Sequence, residues 1–231
     1  MSENNPVKGL GILTPLQKRF LEIFATLPDQ DQFYLAGGTA LSEYYLGHRL
    51  SYDLDIFTGT DGLVQPTSFQ VEKICAEQNL PVKVVRRFAT FVEFLVGDEQ
   101  NGLKVDMALD SPYRLEPTVL TETGMQVNNY TDLRIDKLLA YFGRSEPRDA
   151  IDLYFILQQE TVDVLMEQAA LKDTGFDSYW FAIALNRCEK FPDELERWPV
   201  KMLKPIDPKN LKASFQELAT RLLDKSKPAD E

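Results

Sequence analysis

The sequence predicts an α+β protein: a small mixed, mostly antiparallel sheet flanked by helices, followed by a helical half. Three observations carry this reading. Residues 82–88, 90–96 and 103–109 are β-rich runs in close succession, the last two separated by the turn-like stretch Gly97–Gly102. Ahead of them, short strand patterns alternate with helix patterns. Beyond Pro112 and Pro117 the texture changes, and apolar residues recur at helical spacing almost to the end.

Taken in order, residues 1–13 read as a loosely held arm. Thr14 is placed to cap a helix whose first position is Pro15, where the missing N–H costs nothing. Leu16, Phe20, Ile23, Phe24 and Leu27 then recur at helical spacing, and Pro28 ends the element. Phe33–Ala36 reads as a short strand running into Gly37-Gly38-Thr39. A helix over 40–46 stops at Gly47, a residue suited to a left-handed cap. Leu54 and Ile56 mark a strand over 53–57. Gly59–Pro66 is a turn-rich loop, and Thr67 opens a helix carrying Phe69, Val71 and Ile74. After the three β-rich runs, Thr131 starts a helix containing Leu133, Leu138, Leu139 and Phe142. Further helices are expected over 148–158, 161–172, 177–190 and 209–224, with Asp207 and Pro208 opening the last. The organisation expected is an α/β core over 14–118 and a helical domain over 119–225 sharing an interface with it, then a polar tail, Asp224–Glu231.

Composition narrows the function. The 231 residues are 44% hydrophobic and 26% charged, ordinary values for a globular protein with a real core. Against 25 Lys and Arg stand 36 Asp and Glu, a net charge of -11 that disfavours broad coating of a phosphate backbone. A local basic patch from Lys83, Arg86, Arg87, Arg134, Lys137, Arg144 and Arg148 remains compatible with it. His48 is the sole histidine, which excludes a His-rich zinc site, and it reads as a polar turn residue. Cys75 and Cys188 read as packing residues rather than a disulfide framework. No apolar run approaches the ~20 residues that span a bilayer, and the N-terminal stretch lacks a basic region followed by an apolar one. A cytoplasmic protein with no membrane partner is expected.

The chemistry sits in Leu35-Ala-Gly-Gly-Thr-Ala-Leu41 and His48-Arg-Leu-Ser-Tyr-Asp-Leu-Asp-Ile-Phe57. Asp53 and Asp55, two apart in a strand, face one side, while Leu54 and Ile56 face the other and bury against helices. Two adjacent carboxylates repel unless a cation lies between them, and Mg²⁺ takes carboxylate and phosphate oxygens. Gly37 and Gly38 let the backbone approach a ligand closely just before a helix whose free N–H groups suit phosphate; Thr39 either caps that helix or offers its hydroxyl. Ser51 shares the phase of Asp53 and is a further phosphate contact. Asp106, in the strand Leu103–Ala108, supplies a third carboxylate if its strand neighbours that of Asp53 and Asp55; such a trio holds two Mg²⁺ and lowers the pKa of an attacking hydroxyl. Lys137, one turn from Arg134, suits a triphosphate. Asp149 and Asp152 share a face at the start of the next helix, where one of them caps it or pairs with Lys137 or Arg148. Each piece alone also fits a plain turn, strand end or solvated face. The aromatic group Phe176, Tyr179, Trp180 and Phe181 reads as packing within the helical half.

The ordered set Phe33–Leu41, Leu46–Phe57, Lys104-Val-Asp106, Asp136-Lys137-Leu-Leu-Ala140 and Arg148-Asp149-Ala-Ile-Asp152-Leu153 closely resembles the AbiEii/AbiGii-type nucleotidyltransferase toxins, within the DNA polymerase β-like nucleotidyltransferase superfamily. The resemblance spans about residues 31–157. It implies a minimal nucleotidyltransferase fold with a C-terminal helical domain, with Asp53 and Asp55 as the metal pair and Asp106 as the later acid. Gly37, Gly38 and Ser51 fall in the family's nucleotide-phosphate region, and Lys137, Arg148 and Asp152 in its lysine and Arg-Asp-x-x-Asp-Leu patterns. It further implies Mg²⁺, an NTP, a tRNA acceptor and a cognate antitoxin, the chain acting as the toxin of a toxin–antitoxin pair. Two other readings stay open at this point: transfer to a small-molecule or protein hydroxyl, and a non-catalytic NTP- or partner-binding module.

Overall fold

The structure is a computed structural model that describes residues 6–98 and 102–225. The chain divides into two compact units, Met1–Leu133 and Arg134–Glu231. The first is built on a seven-stranded sheet in the order β3-β4-β5-β2-β1-β7-β6. Its strands are β1 (Tyr34–Ala36), β2 (Leu54–Thr58), β3 (Val82–Arg87), β4 (Phe91–Val96), β5 (Leu103–Leu109), β6 (Val119–Leu120) and β7 (Gln126–Val127). β3, β4 and β5 form an antiparallel meander, β2 lies parallel to β5 and antiparallel to β1, and β7 runs parallel to β1. The expected mixed, mostly antiparallel sheet with helices, followed by a helical region, is what the chain forms.

The alternation that marks the strands sorts the two faces. Leu54, Ile56, Val92, Phe94, Val105 and Met107 are buried, and their register stacks Leu54 beside Val105 and Ile56 beside Met107. Each such burial is worth about 1.5–3 kcal/mol. Helix α3 (Val64–Glu77) packs on this side against β3, β4 and β5 through Val64, Thr67, Val71 and Cys75, a helical stripe. It begins three residues ahead of the expected Thr67, because the turn-rich loop winds into its first turn. The opposite phase (Asp55, Glu93, Lys104, Asp106) forms a half-buried polar face.

Helix α1 (Pro15–Phe24) starts as its sequence dictates. Thr14 and Gln17 form a reciprocal capping box with Pro15 at the first position. Helix α2 (Gly37–Leu41) starts directly at the glycine pair and continues as a π-helical turn over 42–46, closed by Gly47 at φ +58°. The expected helix over 40–46 therefore starts earlier. The described part of the arm, 6–13, is tied down rather than loose. Val7 pairs with the segment around Thr121, and the amides of Gly11, Ile12 and Leu13 donate to the buried carboxylate of Glu43 at 3.0, 2.6 and 3.0 Å. Residues 1–5 of the arm, 99–101 of the expected turn and 226–231 of the polar tail lie outside the described residues.

The two short strands β6 and β7 escape the sequence reading; β7 pairs with β1 and β6 with β7, so they complete the sheet within the first unit. Helix α4 (Tyr130–Arg144) begins in the first unit and continues into the second. Asn129, not Thr131, serves its start: Asn129 Oδ1 accepts from the Asp132 amide at 2.9 Å.

The second unit holds α5 (Pro147–Leu157), α6 (Val162–Lys172), α7 (Ser178–Asn186) and α8 (Pro208–Lys225), close to the expected helices. α7 and α8 pack together, and Tyr141, Ile151, Phe181, Leu185, Leu211 and Phe215 are fully buried. The aromatic group splits. Phe176 stacks with Phe142 and Phe181 inside the unit, whereas Tyr179 and Trp180 are 46% and 59% exposed. Cys75 and Cys188 are buried free thiols, both pushed up to about 11 by burial. Among the described residues no helix is long and apolar enough to cross a membrane.

Candidate functional site

β1 delivers the chain to Gly37 at φ +66°, a conformation that favours glycine. The position also has no room for a side chain, because a Cβ there would lie 1.9 Å from Asp55 Oδ2. At Gly38 a Cβ would meet Arg49 Nη2 at 2.5 Å and Ser51 Oγ at 2.9 Å. The glycine pair thus forms a floor on which Asp55, Arg49 and Ser51 close. Two side chains fix the segment leading into β2. Buried Gln17 donates from Nε2 to the Ser51 carbonyl at 2.9 Å, and Thr39 Oγ1 donates to the Asp53 carbonyl at 2.5 Å. The hydroxyl of Thr39 is therefore spent on positioning Asp53.

The parallel pairing of β2 with β5 sets Asp55 directly beside Asp106, and the antiparallel pairing of β5 with β4 sets Asp106 beside Glu93. Neighbouring strands lie about 4.8 Å apart, so three carboxylates stand in one row, with Asp53 two residues ahead of Asp55. Lys104, one pleat from Asp106 on the same face, places its ammonium 2.5 Å from Asp106 Oδ2. Burial alone would lower its pKa, but the bond to Asp106 and the charges of Asp106, Asp53 and Glu93 outweigh that and raise it. The other oxygen, Asp106 Oδ1, is buried with no hydrogen-bond partner.

Among the described residues no group of three or more His, Cys, Asp or Glu side chains is gathered into a ready-made metal cluster. The expected strand neighbourhood is present, yet a lysine occupies one oxygen of the third carboxylate. The set still fits a divalent cation of the Mg²⁺ type. Mg²⁺ takes one or two carboxylates together with substrate phosphates rather than a closed protein cage. An orphaned buried carboxylate oxygen beside Asp55 is what such an ion would satisfy.

Lys137, Arg148 and Asp152 belong to the helical unit. Lys137 Nζ lies 2.9 Å from Asp152 Oδ2, with the two side chains 8% and 0% exposed. Asp149 neither caps α5 nor meets Lys137. It takes a bidentate bond from Arg144 at 2.6 and 2.8 Å, while Arg148 meets Glu146 at the surface. Six of the seven cations named for a basic patch face an acid: Arg86 with Glu93, Arg87 with Glu72, Arg134 with Glu160, and the three just given. Lys83 makes no ion pair among the described residues.

Sequence reasoning gives no role to Arg49, Lys104, Glu93 or Gln17. For Arg49 a signal exists: residues 49, 51, 53 and 55 share one phase of an extended segment. Lys104 likewise shares the phase of Asp106. The parts played by Glu93 and Gln17 depend on register and packing that no local pattern displays.

A family model described as "Nucleotidyl transferase AbiEii toxin, Type IV TA system" matches residues 19–229. An uncharacterised protein of Aquifex aeolicus is 27% identical over 183 residues, covering 78% of this chain and 84% of its own. Among solved structures, JHP933 of Helicobacter pylori is similar with a TM-score of 0.55 and 19% identity, over 91% of this chain and 90% of its own. MenT4, described as a nucleotidyltransferase toxin of Mycobacterium tuberculosis H37Rv, is similar with a TM-score of 0.58 and 15% identity, over 90% of this chain and 82% of its own.

Proposed function

The chain belongs to the AbiEii family of nucleotidyl transferase toxins, and from that premise we propose that it transfers a nucleoside monophosphate from an NTP to an acceptor hydroxyl on tRNA. The observation that carries the reading is the Asp55–Asp106 pair standing in register beside a glycine turn too tight for any side chain. The triphosphate rests on Gly37–Gly38 with Arg49 and Ser51 against it, and Asp53, Asp55 and Asp106 hold Mg²⁺. When bound, the ion neutralises phosphate charge and acidifies the attacking hydroxyl. The acceptor oxygen forms its bond to the α-phosphorus, the bond from that phosphorus to the β-phosphate oxygen breaks, and pyrophosphate leaves. The hydroxyl proton passes to solvent. Thr39 and Gln17 act through the backbone by fixing Asp53 and Ser51. Lys137, held by Asp152, and Arg148 are the helical unit's candidates for nucleotide contact. Activity as the toxin of a pair with a cognate antitoxin follows from the same family premise.

The pairing of six cations with acids, together with the net charge of -11, favours a second reading in which the acceptor is a protein or small-molecule hydroxyl. One experiment separates them. Wild-type protein and the D53N/D55N variant are incubated with Mg²⁺, each labelled NTP and total tRNA, then with a cell extract freed of RNA. Label on tRNA from the wild type alone supports the reading. Label only on RNA-free material shifts the acceptor, and equal label from both proteins removes the carboxylates from the chemistry.

A further inference from the structure

The polar face carries a feature the transfer reading does not require. Across β4 and β3 the registered row continues from Asp55 through Asp106 and Glu93 to Arg86, whose Nε lies 3.3 Å from Glu93 Oε2. Arg86 reaches that place through a register shift between Val84 and Arg86. Lys83 faces Leu95 and Val84 faces Phe94, so an uninterrupted ladder would set Val85 against Glu93. The extra residue turns Val85 aside, 48% exposed, and presents Arg86 instead. Bulges commonly re-aim a side chain next to a site. Here the bulge sets Arg86 against Glu93, a carboxylate only 14% exposed. Lys104 is held by its bond to Asp106 at 2.5 Å, and the charges of Asp53 and Glu93 favour its ammonium form.

The geometry at Asp106 points the same way. With Lys104 on Oδ2, Asp106 has only Oδ1 left to offer.

We propose that Lys104 is a built-in second cation: its ammonium holds the place at Asp106 that a second metal ion would take, so that the site binds one divalent ion where three acids alone would bind two. This rests on the reading of Asp53, Asp55 and Asp106 as the metal-facing acids, and it departs from the two-ion expectation of the sequence. Lys104 acts as a positioning residue. It keeps Asp106 oriented with Oδ1 toward the ion and neutralises the charge that a second ion would otherwise neutralise. A fixed ammonium needs no recruitment from solution, so the ion dependence of transfer is first order.

The test counts ions directly. Mn²⁺ is titrated into the full chain, and free Mn²⁺ is read by its paramagnetic resonance signal, for wild type, K104R, K104M and K104Q. The Lys104 side chain is 43% exposed, so the neutral variants are expected to fold, and thermal melts check this. Wild type and K104R are expected to bind one ion per chain in the face, and K104M and K104Q to gain a second. Equal stoichiometry in wild type and both neutral variants, at whatever number, overturns the proposal, as does a second ion in the wild type. Label transfer is measured separately. Transfer with two ions bound sinks the role of Lys104 and leaves the proposed function standing, whereas the expected stoichiometry without transfer does the reverse.

Discussion

The two units of the chain treat charge in opposite ways. In the helical unit, ionic groups are closed into pairs: Lys137 with Asp152, Arg144 with Asp149, Lys172 with Asp136 at 2.6 Å, and Arg134 with Glu160. On the sheet face, acids outnumber cations, and one carboxylate oxygen is buried with no partner at all. Burying a pair is roughly neutral when its geometry is good, whereas an uncompensated carboxylate is expensive. The comparison teaches that motif residues of equal chemical type differ in kind: the helical acids are closed into pairs, whereas Asp106 on the sheet face keeps one buried oxygen with no hydrogen-bond partner.

The sharpest way to break this contrast is to open a closed pair. K137M leaves Asp152, at 0% exposure, short of its cation, and should cost about 3–5 kcal/mol in urea unfolding. The double variant K137M/D152L should recover most of that loss. A K137M protein of wild-type stability would show that the pair is not what holds this region. On the sheet face, by contrast, loss of a charge should spare stability and remove activity, which the D53N/D55N control reads.

Next in size comes G37A. A Cβ at φ +66° costs about 1–2 kcal/mol, and here it also strikes Asp55 Oδ2. Transfer should fall about 100-fold, with a smaller loss of stability; near-wild-type turnover would mean that Asp55 does not need its present position. T39V removes one hydrogen bond to the Asp53 carbonyl, worth about 1 kcal/mol. It should lower turnover about 5-fold with the NTP concentration for half-maximal rate little changed, and a change confined to that concentration would make Thr39 a substrate contact. Smallest of all, R148A breaks a surface pair with Glu146 and should move stability by less than about 0.5 kcal/mol. A drop in NTP affinity in R148A would promote the residue from surface pair to ligand contact.

Much of this is legible in the amino-acid sequence itself. Alternation in 91–96 and 103–109 displays two faces, the Asp-x-Asp spacing puts both carboxylates on one of them, and Gly37-Gly38 announces a turn suited to glycine alone. What stays hidden depends on who sits beside whom. Glu93 enters the row only through the β4–β5 register, and Arg86 only through a bulge that costs one residue of ladder. Lys104 sits in plain view in Lys104-Val-Asp106, but its role follows from a distance rather than a spacing. β6 and β7 are two residues each, too short for any periodicity. For Asp149 the sequence allows a helix cap; in the fold Arg144 reaches it first, because a bidentate guanidinium outcompetes a solvated amide.

The clamp on Glu43 ties the N-terminal arm to the helix that opens at Gly37. Three amides of residues 11–13 and the backbone bond from Leu10 converge on this one glutamate, which sits in the turn directly following the glycine floor. The arm and the helix that opens at the glycine floor are thereby tied through one side chain. Peeling the arm away strands a buried anion, and the helix that carries the floor must rearrange to hydrate it. Nicking the chain ahead of Thr14 should therefore disturb the Gly37–Gly38 turn without removing any carboxylate of the sheet face.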